Sequence, residues 1–244
     1  MKYSLNILHL FCDLLNMYGD RGNVLALSKR LEWRGHSANI FSHHQGEEID
    51  FSNKDIIILG GGGEKDDILA LKMLLSKREE LKEYVENGGV LLALCGGYQM
   101  LGDFYRTKNE ELEALGLLDI THDVGERFIG NVIAETEMAG KKMKIAGFEN
   151  HGARMKIKNY KPFARVINGN GNNGKDGTCG LVYKNVIATF LHGPLLPKNP
   201  QLTDYILSLA IEKKYGIKAE LSPLSDVLEN EANEYAVNRF SGGQ

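Results

Sequence analysis

Hydrophobic and polar positions change period repeatedly along the first hundred residues. Leu5 to Phe11 is dominated by apolar side chains and reads as a strand. Asp55 to Leu59 is a short β-branched run, too apolar for an exposed edge, and Val90 to Leu94 is wholly apolar. Between these runs the spacing lengthens. Val24, Leu27 and Leu31 mark one face of a helix over Asn23 to Arg34, with Gly35 as its stop. Leu71, Leu74 and Leu75 mark the inward face of a helix over Asp67 to Asn87, ended by Gly88-Gly89. Buried strands alternating with helices predict right-handed crossovers and an α/β fold: a mostly parallel, doubly wound sheet with helices on both faces.

The second half is less regular. Strands are predicted over Val132 to Glu135, Met143 to Gly147, Gly180 to Tyr183 and Asn185 to Leu191. The glycine- and asparagine-rich stretch Asn168 to Gly180 reads as a surface loop. Leu202 to Tyr215 and Asp226 to Phe240 read as helices, and Ser241 to Gln244 as a frayed tail. With no internal repeat or long linker, residues 1–244 are expected to form one domain whose C-terminal helices begin at about residue 202.

Composition narrows the classes. A net charge of −3 with no lysine-arginine block gives no electrostatic footprint for nucleic acid. No apolar run approaches the roughly 20 residues of a membrane span, and Met1 to Asn6 lacks the apolar core of a signal peptide, so a cytoplasmic location is expected. Cys12, Cys95 and Cys179 are odd in number and widely spaced, which suggests neither a disulfide framework nor a metal site.

The candidate chemistry begins where Val90 to Leu94 stops abruptly in Cys95-Gly96-Gly97-Tyr98-Gln99. Two glycines remove the Cβ atoms that would crowd a tight strand-to-helix turn. The helix that follows would aim N–H groups and its positive dipole end at the sulfur, favouring thiolate. Val186 to Leu191 likewise ends in His192-Gly193-Pro194. In an open α/β sheet, ligands sit beyond the carboxyl ends of the strands, so Cys95 and His192 can meet on one rim. There a neutral imidazole would take the thiol proton and later give one to a leaving amine. Each residue alone also fits inert packing. Gly60 to Gly63 follows a third strand. It is either a plain flexible turn or a loop whose N–H groups, Gly62 with Gly96, face an oxyanion. It is no P-loop, because no lysine-serine/threonine pair follows. Thiol, imidazole and oxyanion donors together describe acyl transfer through a thioester.

The order of glycine loop, Leu94-Cys95-Gly96-Gly97-Tyr98-Gln99 and a strand ending in His192 resembles the class I glutamine amidotransferases. The Cys-Gly-Gly-Tyr-Gln form, with Gly147-Phe148-Glu149-Asn150-His151-Gly152 downstream, is similar to their cobyric-acid-synthase-like (CobB/CobQ) branch. Three further features narrow the resemblance to the glutaminase-subunit family of lipid II isoglutaminyl synthases. They are Asn16-Met17-Tyr18-Gly19-Asp20-Arg21-Gly22-Asn23, Gly116-Leu117-Leu118-Asp119, and Leu191 to Asn199 with Tyr205 beyond. The resemblance runs from about Asn6 to the C-terminal helices.

It implies Cys95 as nucleophile, His192 as its base, and Arg127 as the residue that binds L-glutamine, its guanidinium pairing with the α-carboxylate. Without the resemblance, Arg127 reads as a solvated surface arginine. Gln99, one turn beyond Cys95, either contacts the substrate or supports the elbow. Asn150 and His151 either line the site or belong to a plain polar loop. Family members of this class usually carry a glutamate two residues after the histidine; here Pro194 stands there. A Cys–His dyad and modest activity without a partner are therefore expected. The resemblance further implies a heterodimer with a MurT-type ligase, which would hold ATP and magnesium and amidate the D-glutamate α-carboxylate of lipid II; no cofactor is expected on this chain. Two alternatives remain: a glutaminase subunit of another ATP-dependent amidase, such as a cobalamin-type one, and a non-catalytic regulatory or scaffold subunit.

Overall fold

A computed structural model describes residues 1–242; residues 243–244, the end of the expected frayed tail, lie outside the described residues. The first half contains β1 (Ser4–Leu10), α1 (Arg21–Glu32), β2 (Ser37–Ser42), β3 (Ile56–Leu59), α2 (Glu64–Leu75), α3 (Arg78–Glu86), β4 (Val90–Leu94) and α4 (Gly96–Met100). A hairpin of β5 (Phe104–Arg106) and β6 (Glu111–Glu113) follows, then a much longer one of β7 (Thr121–Met138) and β8 (Lys141–Lys156). The chain continues through β9 (Ala164–Asn168), β10 (Thr178–Cys179), β11 (Leu181–Tyr183), β12 (Val186–Thr189), α5 (Pro200–Tyr215) and α6 (Val227–Phe240).

The main sheet has the order β11-β12-β4-β3-β1-β2, parallel throughout except for the antiparallel edge strand β11. Alternation along its strands divides the core. Leu8, Leu10, Ile57, Leu59, Leu91 and Ala93 face α2 and α3. Leu5, Ile7, Ile56, Ile58, Leu92 and Ile187 face α1 and α5. Helices thus cover both faces, as the doubly wound reading requires. Each fully buried leucine or isoleucine on these faces contributes about 2 kcal/mol over exposure.

Two expectations change. The helix predicted over Asp67 to Asn87 is two helices, because Ser76 Oγ donates back to the Met73 carbonyl and Lys77 leaves helical geometry at φ −115°. Val132–Glu135 and Met143–Gly147 are only the buried centre of the β7/β8 hairpin, which belongs to a second, antiparallel sheet ordered β10-β9-β7-β8. That sheet places Arg127, Asn150 and His151 over the carboxyl rim of the main sheet, where Phe148 and His192 exchange backbone hydrogen bonds of 3.2 and 3.0 Å.

The C-terminal helix is fixed by charge as much as by apolar contact. Arg30 of α1, nearly buried, donates to Asp204 of α5 and to Asp226 at the start of α6, at 2.6 to 2.8 Å. Among the described residues no helix is long and apolar enough to cross a membrane.

Candidate active site

β4 ends at Cys95, whose backbone is strained at φ +52°, ψ −108°. Such a conformation costs about 1–3 kcal/mol in a residue with a side chain, and the surrounding packing must hold it. The two glycines after it permit the turn for reasons visible in their contacts. A Cβ at Gly96 would strike the Asp67 carboxylate, and one at Gly97 would run into the carbonyls of Leu59 and Gly60. The Cys95 N–H donates to the Thr189 carbonyl at 2.9 Å, tying the elbow to the end of β12. The glycine loop after β3 touches the same point, since a Cβ at Gly61 would stand 2.9 Å from that of Cys95.

Beyond this rim lies a cavity of about 430 Å³. Cys95, Gln99, Gly62 and Arg127 all line it, so four of the residues expected at the site share one space. Arg127 reaches it through a bulge: the β7/β8 register shifts between Val124 and Phe128, which turns Gly125 to Arg127 away from the ladder. Arg154 clamps the bulge by lying over the Phe128 ring at 3.4 Å and donating to the Glu126 carbonyl. The Arg127 guanidinium donates to Asn150 Oδ1 at 3.0 Å, leaving other N–H groups for a ligand. Asn150 and His151 line the cavity too, and they lie in strand β8, not in a loop.

His192 stands differently. It is fully buried and is not among the residues that line the cavity; Tyr18 lies against its ring at 3.8 Å and does line it. Neither His192 ring nitrogen has a hydrogen-bond partner, so in this state Cys95 and His192 are not bonded. Burial pushes the imidazole down to about 4; His151 and Lys198 act in the same direction and Glu149 opposes them.

The expectation that the turn favours thiolate does not hold. Burial drives the Cys95 thiol well above the usual range, and the Asp67 and Asp20 carboxylates push it further. The Gly96 N–H opposes them by favouring the charged sulfur. α4 is only five residues long, so its dipole is small. The two expected oxyanion donors also differ. Gly96 N–H opens α4 directly after the cysteine, whereas Gly62 N–H is already donated to Asp67 Oδ1 at 2.8 Å.

Three residues near the chemistry were assigned no role from the sequence. Tyr18 and Asp20 lie in the stretch that carried part of the resemblance, and Asp67 only began a helix. Asp20 and Asp67 are buried, with carboxyls pushed up to about 7 and about 6 by burial.

Residues 6–200 match the CobB/CobQ-like glutamine amidotransferase domain family. The chain is 39% identical, over 97% of its length and 96% of the relative's, to the lipid II isoglutaminyl synthase (glutamine-hydrolyzing) subunit GatD of Staphylococcus aureus. It is 36% identical to that of Streptococcus pneumoniae, over 96% of this chain and 91% of the other. A cobyric acid synthase of Listeria innocua is 30% identical over 59% of this chain and 29% of its own length. A solved glutamine amidotransferase of Thermotoga maritima shares the fold, with TM-score 0.52, 15% identity and coverage of 98% of this chain and 99% of that one. Because the match spans the glycine loop, the cysteine elbow and the His192 strand end, the chain belongs to the CobB/CobQ-like glutamine amidotransferase family.

Proposed function

We propose that this chain is the glutaminase subunit of a lipid II isoglutaminyl synthase, hydrolysing L-glutamine at Cys95 and passing the ammonia to a MurT-type ligase. One observation carries the catalytic part: a cysteine strained to φ +52° lines the cavity that also holds the Arg127 guanidinium. Such strain persists only where the surrounding structure enforces it, and it aims the thiol at the cavity. The near-full-length likeness to the two GatD subunits supports the choice of acceptor.

In this reading Arg127 binds the α-carboxylate of glutamine and Gln99 lines the path to the side-chain amide. The Cys95 sulfur attacks the amide carbon as His192 takes the thiol proton. The Gly96 N–H stabilises the resulting oxyanion. The C–N bond breaks, His192 returns the proton to departing ammonia, and a glutamyl thioester remains. Water then attacks the thioester carbon, the C–S bond breaks, and glutamate leaves with the thiol restored. ATP and magnesium belong to the ligase, which activates the D-glutamate α-carboxylate of lipid II for amidation to D-isoglutamine. The two chains work as a heterodimer in the cytoplasm.

The test is covalent labelling with a glutamine-mimicking electrophile followed by peptide mass mapping. An adduct at Cys95, blocked by excess glutamine, is expected; absence of an adduct there refutes the glutaminase reading. The acceptor is tested with Cys95→Ser in the complex that co-purifies from the native host. Ammonium salt is expected to restore amidation of lipid II by that complex, and failure to restore it removes the ammonia-donor role.

A further inference from the structure

We infer that Tyr18 is the positioning residue of His192, an aromatic clamp standing where an aligning carboxylate would otherwise act. The inference rests on the glutaminase reading above. Pro194 occupies the position at which the acid is expected, and neither nitrogen of His192 is hydrogen-bonded, so no polar partner sets the plane of its ring. Two rings set it instead. Tyr18 lies along one side with centroids 3.8 Å apart at 30°, and Phe148 meets it edge-on at 5.9 Å and 65°.

Tyr18 is itself held from both ends by the segment 16–23. The Met17 N–H donates to the Gly61 carbonyl at 3.3 Å, and Asp20 Oδ2 accepts from the Gly61 N–H at 3.2 Å, joining the segment to the glycine loop. On the other side, Asn23 Oδ1 accepts from the Leu196 N–H at 2.8 Å, just past His192. Gly22 lies flat against Pro194, where any Cβ would collide with the ring. The proline therefore has a use: it seats the segment that carries the clamp. A single strap spans the glycine loop and the histidine turn.

The clamp also excludes water, because Tyr18 lines the cavity and His192, fully buried, does not. The charged and titratable groups facing His192 are Glu149 and His151 from β8, Lys198 from the following turn, and Tyr18 itself. Removing the Tyr18 ring leaves Glu149, His151 and Lys198 in place and admits water, so the imidazole should regain basicity while losing its alignment.

The experiment uses the full chain with ring-labelled histidine, His192 being assigned by loss of its signal in His192→Gln. In the wild type and in Tyr18→Phe, His192 is expected to stay neutral to well below its ordinary pKa. In Tyr18→Ala its titration should move up by about one pH unit or more. In the same proteins, glutamine kcat should fall about tenfold or more in Tyr18→Ala, with KM changed less than about threefold, while Tyr18→Phe keeps most of the rate. Tyr18→Leu, which preserves apolar volume without a flat face, serves as a second variant where Tyr18→Ala does not fold, and is expected to show the same kcat loss. An unmoved His192 titration in both the Ala and Leu variants overturns the inference. A KM increase with kcat retained overturns it too, by making Tyr18 a substrate contact. Loss of kcat in Tyr18→Phe equal to that in Tyr18→Ala assigns the effect to the hydroxyl and overturns the clamp. Failure of the glutaminase reading is distinguishable: it shows as a wild type without turnover or Cys95 labelling, while the His192 titration still reports on the clamp.

Discussion

Asp67 is the buried group through which pH should act most directly on both stability and the thiol. Its carboxylate, in the first turn of α2, accepts from the Gly62 N–H at 2.8 Å and the Tyr105 hydroxyl at 2.9 Å. Burial raises it from 3.8 to about 6, against the pull of those two hydrogen bonds. The folded protein therefore holds this proton more tightly than the unfolded chain does. The resulting contribution to stability is complete below 3.8 and is lost as pH rises through about 6. At about 1.4 kcal/mol per tenfold change in proton affinity, the loss is about 3 kcal/mol. Asp67→Asn removes the titration and keeps both partners, its Oδ1 accepting from Gly62 and its Nδ2 donating to the Tyr105 oxygen. Urea denaturation followed by far-ultraviolet circular dichroism would be run on both proteins across pH 4 to 8. Wild-type stability relative to Asp67→Asn is expected to fall by about 2.4 kcal/mol over that range, the rest of the loss lying below pH 4. Since Asp67 also pushes the Cys95 thiol up, alkylation of Cys95 at fixed pH should be faster in the variant. Parallel stability curves would refute the reasoning, because they would mean that Asp67 ionises alike in both states.

Other perturbations bear on separate parts of the molecule. Gly97→Ala puts a methyl against two backbone carbonyls that cannot swing aside, so a loss of about 1–3 kcal/mol is expected by urea denaturation, with slower labelling of Cys95. Arg127→Ala should raise the glutamine KM about tenfold or more in steady-state hydrolysis, through loss of a charge-assisted carboxylate pair; an unchanged kcat/KM removes Arg127 from the site. Arg30→Ala leaves Asp204 without one buried partner and Asp226 without its ion pair, so it should cost about 3 kcal/mol and expose α6 to limited proteolysis, read by the size of the fragment released.

The main sheet was legible because its strands are buried on both faces. Val90 to Leu94 is continuous in sequence and matches β4 residue for residue. Edge strand β2, Ser37-Ala38-Asn39-Ile40-Phe41-Ser42, went unread because its side chains are half-buried or exposed, so no core imposes alternation on them. The same reason hid the outer arms of the β7/β8 hairpin, where Asp123 to Arg127 carry no apolar period. The structure puts Cys95 and Arg127 on one cavity, the first expected there from its glycines and the second only through family resemblance. The upward push on the Cys95 thiol was not legible. A motif displays the N–H groups that favour thiolate, but Asp20 and Asp67 come from distant positions, and only the fold brings their carboxylates to the sulfur.

Those carboxylates change what the elbow means. Burial pushes the Cys95 thiol up and the His192 imidazole down, and no hydrogen bond joins the two, so both shifts oppose the charged pair. The Gly62 N–H, expected to serve the oxyanion, is engaged by Asp67. Each of these brakes is local and reversible. Protonation of Asp67 weakens its hold on Gly62 and removes a negative charge beside the sulfur in one event. An acidified cavity or a ligand that displaces the carboxylate would therefore act on thiol and oxyanion donor together.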